Sequence, residues 1–202
     1  MLTILTGTSS DLHSHVETDL AAYRYKVFVE QLGWDLPVAQ AGLERDQFDR
    51  PDTLYVVAKD NEDRICGCAR LLPTERAYLL GSVFPGLLDG QPAPCSADVW
   101  ELSRYTTQVV HNETSTRAEA KERFRLLLKA VVEIALAQGA QRLITFSFAG
   151  VERLARGFGI HVHRAGAPQM IDGKPVLAFW IELDEQTFRA LGIGIDLAVA
   201  TH

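Results

Sequence analysis

The segment VWELSRYTT, from Val99 to Thr107, decides how the fold is interpreted. Its β-branched and aromatic residues predict a β-strand. The same strand carries a carboxylate on Glu101, a hydroxyl on Ser103 and a guanidinium on Arg104. Burying opposite charges in a sheet is costly unless they are paired and hydrogen-bonded. This cost raises the question of which groups the two charges meet.

The alternation of side chains along a strand sets a geometric condition on this segment. Glu101 and Ser103 share one face of a regular strand, while Arg104 points to the other face. For both charges to reach one site, the strand has to bulge or end there, and bulges are common beside active sites. We therefore predict an irregularity between Leu102 and Tyr105.

The chain before this strand predicts a helix and a β-hairpin. After a short strand over residues 2–6, apolar residues at spacings of three and four predict a helix over residues 11–32, and Gly33 is the expected stop. The polar segment 34–53 shows no periodicity, and a loop of this length is typically functional or disordered. LYVVAK and ICGCARLLP then predict a hairpin across the turn DNEDR.

The chain around and after this strand completes the fold prediction. An irregular, proline-containing stretch precedes it, and after it Thr116 and Glu119 form a capping box that begins a helix ending at Gly139. The strand RLITFSF leads into a short helix, VERLARG, and two closing strands, IHVHRA and VLAFWIEL. This order predicts an α/β (α+β) fold: a mixed, mostly antiparallel twisted sheet flanked by helices.

Composition and charge limit the classes of protein to which the chain can belong. With 202 residues, 47% of them hydrophobic, and no repeat or long linker, it is predicted to form one domain over residues 1–202. Its net charge of −6 argues against a nucleic-acid partner. The first residues lack the features of a signal peptide, and no apolar run is long enough to cross a bilayer. We therefore expect a soluble, cytoplasmic protein without a membrane partner.

The cysteines and one pair of histidines are interpreted as structural rather than metal-binding. Cys66 and Cys68 share one face of a predicted strand, where buried thiols are the expected arrangement. His161 and His163 lie at strand spacing, with no acidic or thiol partner nearby in sequence. The sequence therefore predicts no metal site.

Six charged residues on separate segments balance in sign and predict one buried network. They are Arg24, Arg70 and Arg104 against Asp46, Asp49 and Glu101. Such a network is expensive as a source of stability alone, because well-packed hydrophobic residues often stabilise as much. Binding of a polar ligand would explain such a network better than stability does.

Four segments, taken together, identify a family. YRYKVFVEQLGW, ERDQFDRPDTLYVVA, ICGCARLLPT and VWELSRY, in this order and spacing, resemble the acyl-homoserine lactone synthases of bacterial quorum sensing, and the resemblance covers nearly the whole chain. The charged and aromatic positions that recur in that family are all present: Arg24, Phe28, Trp34, Asp46, Asp49, Arg70, Glu101 and Arg104. The family fold is similar to that of GCN5-related N-acetyltransferases, in agreement with the element order.

The resemblance implies a reaction with two substrates and no cofactor. The amine of S-adenosylmethionine attacks the thioester of a fatty acyl chain on acyl carrier protein, and the methionine carboxylate then displaces methylthioadenosine to close a lactone. Glu101 is the expected base for the amine, with Ser103 positioning the thioester. Arg24 and Arg104 are expected to hold the substrate carboxylate.

The remaining family positions receive roles that complement a cationic substrate. Asp46 and Asp49 are expected to face its ammonium or sulfonium, while Phe28 and Trp34 add a cation–π contact or stack on adenine. Arg70 is expected to be structural, tying the acidic loop to the sheet.

Two further groups of residues are assigned to the acyl chain and its carrier. The predicted acyl pocket consists of Leu128, Val131, Thr145, Ser147, Val151 and Leu154. In the family, a threonine at the position of Thr145 is associated with chains oxidised at carbon 3, either 3-oxo or 3-hydroxy. Arg153 and Arg156 are expected to dock the acidic carrier protein, with solvated surface as the alternative.

Two other functions remain open at this stage. One is a GCN5-like N-acetyltransferase that uses acyl-coenzyme A, although no R/Q-x-x-G-x-G/A segment follows the VWELSRYTT strand. The other is a module that binds S-adenosylmethionine or acyl carrier protein without catalysis. The sequence does not determine the acyl chain length, the oligomeric state or the cognate receptor.

Overall fold

The computed structural model describes residues 2–34, 42–110 and 115–194. The chain divides into two compact units, each built from two separate stretches: residues 1–70 with 104–130, and residues 71–103 with 131–202. Each unit therefore depends on pairing between segments that are distant in sequence. The single domain over residues 1–202 stays a prediction.

The first unit contains the N-terminal helix and one set of strands. Its elements are β1 (Thr3–Gly7), α1 (Ser14–Arg24), a π-helix (Tyr25–Gln31), β2 (Leu54–Lys59), β3 (Ile65–Pro73, up to Arg70), the end of β4 (Val99–Thr106, from Arg104) and the first part of α3 (Arg117–Ala137, up to Ala130). The strand order is β1-β2-β3, with β1 antiparallel to β2. The predicted hairpin is present, closed by a hydrogen bond from the N–H of Asp60 to the carbonyl of Arg64 at 2.9 Å.

The first helix differs from its prediction in its start and in its geometry. It begins at Ser14, and after Arg24 the hydrogen bonds follow the wider π pattern, as in the bond from Leu32 N–H to the Val27 carbonyl at 3.0 Å. The spacing of apolar residues does not distinguish a short π segment from an α-helix. Gly33 ends the helix as predicted, with a φ of 71° that suits glycine.

The core of the first unit is the apolar side of this helix against β2 and β3. The apolar residues whose spacing predicted the helix are buried there, with Leu12 just before its start: Leu12, Val16, Leu20, Tyr23 and Val27. Gly67 lets neighbouring elements approach β3 closely, since a side chain there would lie 3.2 Å from the Thr106 carbonyl oxygen and 3.4 Å from Leu127. The helical periodicity therefore predicted this packing correctly.

The second unit contains the remaining strands and, within the described residues, three whole α-helices, the last part of another and a 3₁₀ helix. Its elements are α2 (Leu79–Val83), a 3₁₀ helix (Pro85–Leu88), β4 (Val99–Thr106, up to Ser103), α3 (Arg117–Ala137, from Val131), β5 (Arg142–Phe148), α4 (Ala149–Gly157), β6 (Val162–Arg164), β7 (Gln169–Ile171), β8 (Lys174–Glu182) and α5 (Glu185–Leu191). The strand order is β4-β5-β8-β6, and β7 also pairs with β8. β4 and β5 are parallel, whereas β5, β6 and β7 are antiparallel to β8.

The fold class is confirmed: the sheet is mixed and mostly antiparallel, with helices packed on it. The capping box of α3 is present, because the Thr116 hydroxyl accepts from the Glu119 N–H at 3.2 Å and the Glu119 carboxylate accepts from the Thr116 N–H at 2.8 Å. The proline-containing stretch is not wholly irregular, since α2 and the 3₁₀ helix lie within it.

Among the residues that the structure describes, no helix has the length and apolar character needed to span a membrane.

Candidate functional site

The strand that raised the opening question is irregular where the sequence predicted it to be. Arg104 has a φ of 51°, a left-handed conformation that is uncommon for a residue with a side chain. Glu101, Leu102, Ser103 and Arg104 are all buried in succession, as are the residues of β2, so the irregularity lies in the backbone of Arg104 and not in the pattern of burial. In the second unit, the parallel pairing of β4 with β5 ends at Leu102, opposite Thr145.

The first unit holds a buried cluster of three arginines and three carboxylates, which we call the ion network. It consists of Arg24, Glu44, Asp46, Asp49, Arg70 and Arg104. The arginines come from the end of α1, from β3 and from β4, and the carboxylates come from the loop before β2. Five of the six charges are those predicted from the sequence.

Arg24 links two of the carboxylates. Its Nη1 and Nη2 donate to the two oxygens of Asp49 at 2.8 and 3.1 Å, a bidentate pair. Its Nε donates to Glu44 Oε2 at 2.5 Å. Arg24 is 3% exposed, so water does not screen these contacts.

Arg70 and Arg104 complete the ion network from the sheet. Arg70 donates to both oxygens of Asp46 at 2.6 and 3.0 Å and to Asp49 at 3.1 Å. Arg104 Nη2 donates to Glu44 Oε1 at 2.9 Å and to Asp46 Oδ2 at 2.8 Å. Arg70 thus ties the acidic loop to the sheet, which is the contact predicted for it.

Aromatic rings cover the cationic side of the ion network. Phe28 and Trp34 stack with ring centroids 4.8 Å apart. The Cζ atom of Arg104 lies 5.5 Å from the Phe28 centroid and 5.7 Å from that of Trp34. Arg70 lies 5.8 Å from the ring of Phe48. Phe28 lies in the π segment, and π turns are frequent at functional sites.

The close pairing shifts the pKa values of the partners in opposite directions. Burial alone would raise the pKa of Asp49, but the charges of Arg24 and Arg70 outweigh burial and hold that pKa well below its ordinary range. The pKa of Glu44 is lowered against burial by Arg24 and Arg104. Burial would lower the pKa of Arg24, yet Asp49 and Glu44 raise it well above its ordinary value. All three groups are therefore held in their charged forms.

The sequence analysis missed Glu44 and placed Glu101 in its position in the charge balance. Glu44 is fully buried and contacts both Arg24 and Arg104. It lies in a segment without periodicity, so nothing in the pattern indicated burial. The available signal was its position beside Asp46 and Asp49 in the acidic loop.

Glu101 has a different set of contacts, in the second unit. It is fully buried, and its two oxygens accept the backbone N–H groups of Leu79 at 3.1 Å and Leu80 at 2.5 Å. These groups are at the start of α2, where helix N–H donors lack partners within the helix. Glu101 thus caps α2, a contact that the sequence did not indicate. Ser103 is buried nearby in the same strand.

The residues predicted to line the acyl chain differ in burial. Leu128 belongs to the first unit and is buried, and Val131 and Thr145 are buried in the second. Ser147, Val151 and Leu154 are half-buried. The hydroxyl of Thr145 donates to the Leu102 carbonyl at 2.7 Å, so its proton is already engaged.

The two arginines predicted to dock a carrier protein lie exposed on α4. Arg156 pairs with the buried Glu152 at 2.8 Å, which partly neutralises it. Arg153 is exposed. The basic surface on this helix is therefore carried chiefly by Arg153.

The cysteines and histidines set aside as structural lie as follows. Cys66 and Cys68 are buried, as predicted, and burial raises the pKa of the Cys68 thiol to about 12. His161 and His163 have acidic partners that are distant in sequence: Asp184 at 2.5 Å and Glu182 at 2.6 Å. β8 and the start of α5 bring these carboxylates to the histidines from about 20 residues away in sequence. In the described residues, no group of three or more potential ligands is arranged to hold a metal ion.

Comparisons with known proteins identify the family of this chain. The family model described as autoinducer synthase matches residues 9–191. The acyl-homoserine-lactone synthase of Ralstonia nicotianae is 49% identical over 182 residues, which cover 88% of this chain and 87% of that protein.

Solved structures show the same fold. The crystal structure of TofI in a ternary complex with an inhibitor and MTA has a TM-score of 0.85 at 47% identity, covering 96% of this chain and 99% of that chain. The CoA-dependent acyl-homoserine lactone synthase BjaI, with SAM and isopentyl-CoA, has a TM-score of 0.82 at 25% identity, covering 95% and 88%. A candidate N-acetyltransferase from Lactobacillus plantarum, at 20% identity and a TM-score of 0.59, shares the fold alone. The chain therefore belongs to the autoinducer synthase family of acyl-homoserine-lactone synthases, which are acyltransferases.

Proposed function

We propose that this enzyme makes an N-acyl-L-homoserine lactone from S-adenosylmethionine and a fatty acyl chain carried as a thioester on acyl carrier protein, releasing methylthioadenosine. The observation that carries the proposal is the ion network beside Phe28 and Trp34. S-adenosylmethionine presents a carboxylate, an ammonium and a sulfonium, and this cluster offers arginines, carboxylates and aromatic faces to match them. The binding of MTA by TofI, at 47% identity, supports the choice of substrate.

The reaction consists of two bond exchanges. The substrate α-amine, once deprotonated, attacks the thioester carbonyl; a C–N bond forms, the C–S bond breaks and the carrier thiol leaves. The methionine carboxylate then attacks the γ-carbon attached to the sulfonium; a C–O bond forms and neutral methylthioadenosine departs with the electrons of the C–S bond. Neither step requires an oxidant, a reductant or a metal ion.

Glu101 is the proposed base for the α-amine. The substrate amine is mostly protonated at neutral pH, so it needs an acceptor for its proton before it can attack. Two backbone N–H bonds hold the Glu101 carboxylate in one orientation, which general base catalysis requires. The proton moves to Glu101 directly or through one water. Ser103, two residues along the same strand, positions the thioester.

Arg24 and Arg104 are proposed to hold the substrate carboxylate, and Asp46 and Asp49 to face its cationic groups. Without substrate these side chains neutralise one another. The substrate brings one negative and two positive groups, so each of its charges can face a side chain of opposite sign in the ion network. Arg70 remains on Asp46 and Asp49 as the anchor of the loop.

The acyl chain is proposed to occupy the group of residues around Thr145, Ser147 and Val151. Because the Thr145 hydroxyl donates its proton to Leu102, its oxygen is available as an acceptor for a ligand. A 3-hydroxyl group on the acyl chain can donate to it, whereas a 3-oxo group needs a donor. Of the two oxidised classes, the geometry favours 3-hydroxyacyl chains.

A second candidate for the acyl donor has to be tested against acyl carrier protein. BjaI is CoA-dependent and is 25% identical to this chain, so acyl-coenzyme A is the alternative donor. We propose acyl carrier protein as the donor because the exposed arginines of α4 suit an acidic protein surface. The phosphates of coenzyme A are also anionic, so the product assay below has to separate the two donors.

The test is mass spectrometry of products after mixing the purified protein with S-adenosylmethionine and each acyl chain on either carrier protein or coenzyme A. We expect an acyl-homoserine lactone and an equal amount of methylthioadenosine, with carrier protein the better donor and a 3-hydroxyacyl chain preferred to the 3-oxo chain. A lactone from acyl-coenzyme A alone would replace the proposed donor. An amide of a simple amine without lactone would overturn the reaction.

A further inference from the structure

Glu44 balances the charge of the ion network, but it is also held in place more tightly than charge balance requires. Its side chain is fully buried. Its backbone N–H donates to the carbonyl of Ala21 at 3.0 Å, which ties it to α1 three residues before Arg24. The residue is thus fixed at its backbone as well as at its carboxylate.

The donor atoms that Glu44 engages determine how two guanidinium groups are oriented. Arg24 gives its Nε to Glu44 at 2.5 Å, and Arg104 gives its Nε at 3.3 Å and its Nη2 at 2.9 Å. The Nε atom lies at the root of the planar guanidinium, so a bond there fixes the direction of the terminal nitrogens. Within the described part of the chain, no residue accepts a hydrogen bond from Arg104 Nη1.

We propose that Glu44 is a positioning residue for the substrate carboxylate, which aligns the guanidinium planes of Arg24 and Arg104 without contacting the substrate. The inference rests on the proposed function, in which these arginines bind that carboxylate. Glu44 cannot bind that carboxylate directly, because two carboxylates repel each other. Its effect has to reach the substrate through the direction of the arginine donors, on which bidentate recognition depends.

The test compares two ligands that differ only in the group concerned. Binding of S-adenosylmethionine and of its decarboxylated analogue is measured by calorimetry on the full chain and on Glu44→Gln. The matched control is Glu17→Gln, which removes the same charge from the exposed pair of Glu17 with Arg45. We expect Glu44→Gln to weaken S-adenosylmethionine binding by about 10- to 100-fold, the scale of one charge-assisted hydrogen bond, and to change binding of the analogue by less than about threefold.

The outcomes separate this inference from the proposed function. A wild-type protein that bound both ligands equally would overturn both, because no carboxylate recognition would exist. Wild-type preference that persisted in Glu44→Gln, equal weakening of both ligands, or tighter binding of S-adenosylmethionine would overturn the positioning role alone. If Glu44→Gln does not fold, Glu44→Asp is used: it keeps the charge but is one methylene shorter, so it should lose part of the preference, and an unchanged preference would overturn the inference.

Discussion

For a single residue in this protein, burial determines how much an ion pair contributes to stability. Arg70 is 0% exposed and its partner Asp46 6%, whereas Arg45 is 47% exposed and Glu17 34%. Both pairs have short N–O distances, so distance does not distinguish them. Removing one member of a buried pair leaves a charge without water or partner, while an exposed partner is solvated again.

Replacing Arg70 by alanine is therefore expected to be far more destabilising than replacing Arg45. Arg70→Ala leaves Asp46 and Asp49 with less compensation, and we expect a loss of about 3–5 kcal/mol in the free energy of unfolding. Arg45→Ala should cost less than about 1 kcal/mol. Urea unfolding monitored by circular dichroism measures both. Equal losses would show that the ion network does not stabilise the fold.

The lowered pKa values of Asp49 and Glu44 predict acid-sensitive stability. A carboxyl group whose pKa is lower in the folded state than in the unfolded state stabilises the fold above its unfolded pKa, near 4. That stabilisation is lost as the pH falls through the folded pKa. We expect the free energy of unfolding to fall below about pH 4.5, with each group contributing up to about 1.4 kcal/mol per pH unit.

Urea unfolding between about pH 3 and pH 6 tests this dependence, since carboxyl groups of this kind titrate there in the unfolded chain. Asp49→Asn should flatten the slope, because its pKa shift is removed. The control is Asp19→Asn, at an exposed position on α1, which should leave the slope as it is. A wild-type slope in Asp49→Asn would contradict the assignment.

At the scale of one secondary-structure element, the short helix α2 shows how a contact from another strand stabilises a helix that its own residues cannot. α2 has five residues, and isolated helices of that length do not persist in water. No side chain at its N-cap, Tyr78, caps it. Its first N–H groups are bound instead by Glu101 from β4. Glu101, the proposed base, therefore also stabilises α2.

Glu101→Ala is expected to release the start of α2. We expect amide hydrogen exchange at Leu79 and Leu80 to rise by at least about tenfold, since one hydrogen bond to a charged group is worth that factor. Mass spectrometry of exchange measures it, and Glu119→Ala, which removes a cap from α3 instead, is the control. Unchanged exchange would mean that Glu101 does not hold α2. Glu101→Gln keeps one acceptor oxygen, so it should retain α2 while turnover falls by about 100-fold or more.

The sequence predicted most clearly the elements that are long enough to show a repeated spacing of apolar or β-branched residues. Helix α3 shows several turns of apolar spacing and a reciprocal cap, and strands β2 and β5 show clear β-branched runs. Helix α2 and the 3₁₀ helix are too short for any period to be visible. The π segment has the composition of the helix it continues. Length therefore limited the fold prediction more than composition did.

For the whole molecule, the candidate site shows what sequence can and cannot place. The irregularity at Arg104 lies where the sequence predicted one, although the two charges that prompted the prediction have separate partners: Glu101 caps α2, whereas Arg104 donates to Glu44 and Asp46. The position of Glu44 could not be predicted from the sequence, since only the folded loop brings it between Arg24 and Arg104. The residues of the ion network come from segments as much as 80 positions apart. Contacts of that range depend on the packing of the unit.

Net charge sets the last expectation, because a chain of charge −6 has to present a local basic surface to an acidic carrier protein. On α4, Arg156 is paired with Glu152 whereas Arg153 is simply exposed. Arg153→Glu should therefore raise the KM for acyl carrier protein about tenfold at low salt, more than Arg156→Glu does.

The matched control for this prediction is Arg189→Glu, an equal change of charge at a 70% exposed residue on α5. It should leave that KM within about twofold, because Arg189 is already paired with Glu185 and contributes less free positive charge than Arg153. Initial rates at low and high salt, with the same acyl chain on carrier protein and on coenzyme A, measure the effect. The difference between Arg153→Glu and wild type should shrink at high salt and be absent for the coenzyme A thioester.

Two outcomes would contradict this prediction. Equal KM values for Arg153→Glu and Arg189→Glu would show that the carrier protein binds elsewhere. The same increase in KM with the coenzyme A thioester would assign Arg153 to binding of the acyl donor in general rather than to a protein partner.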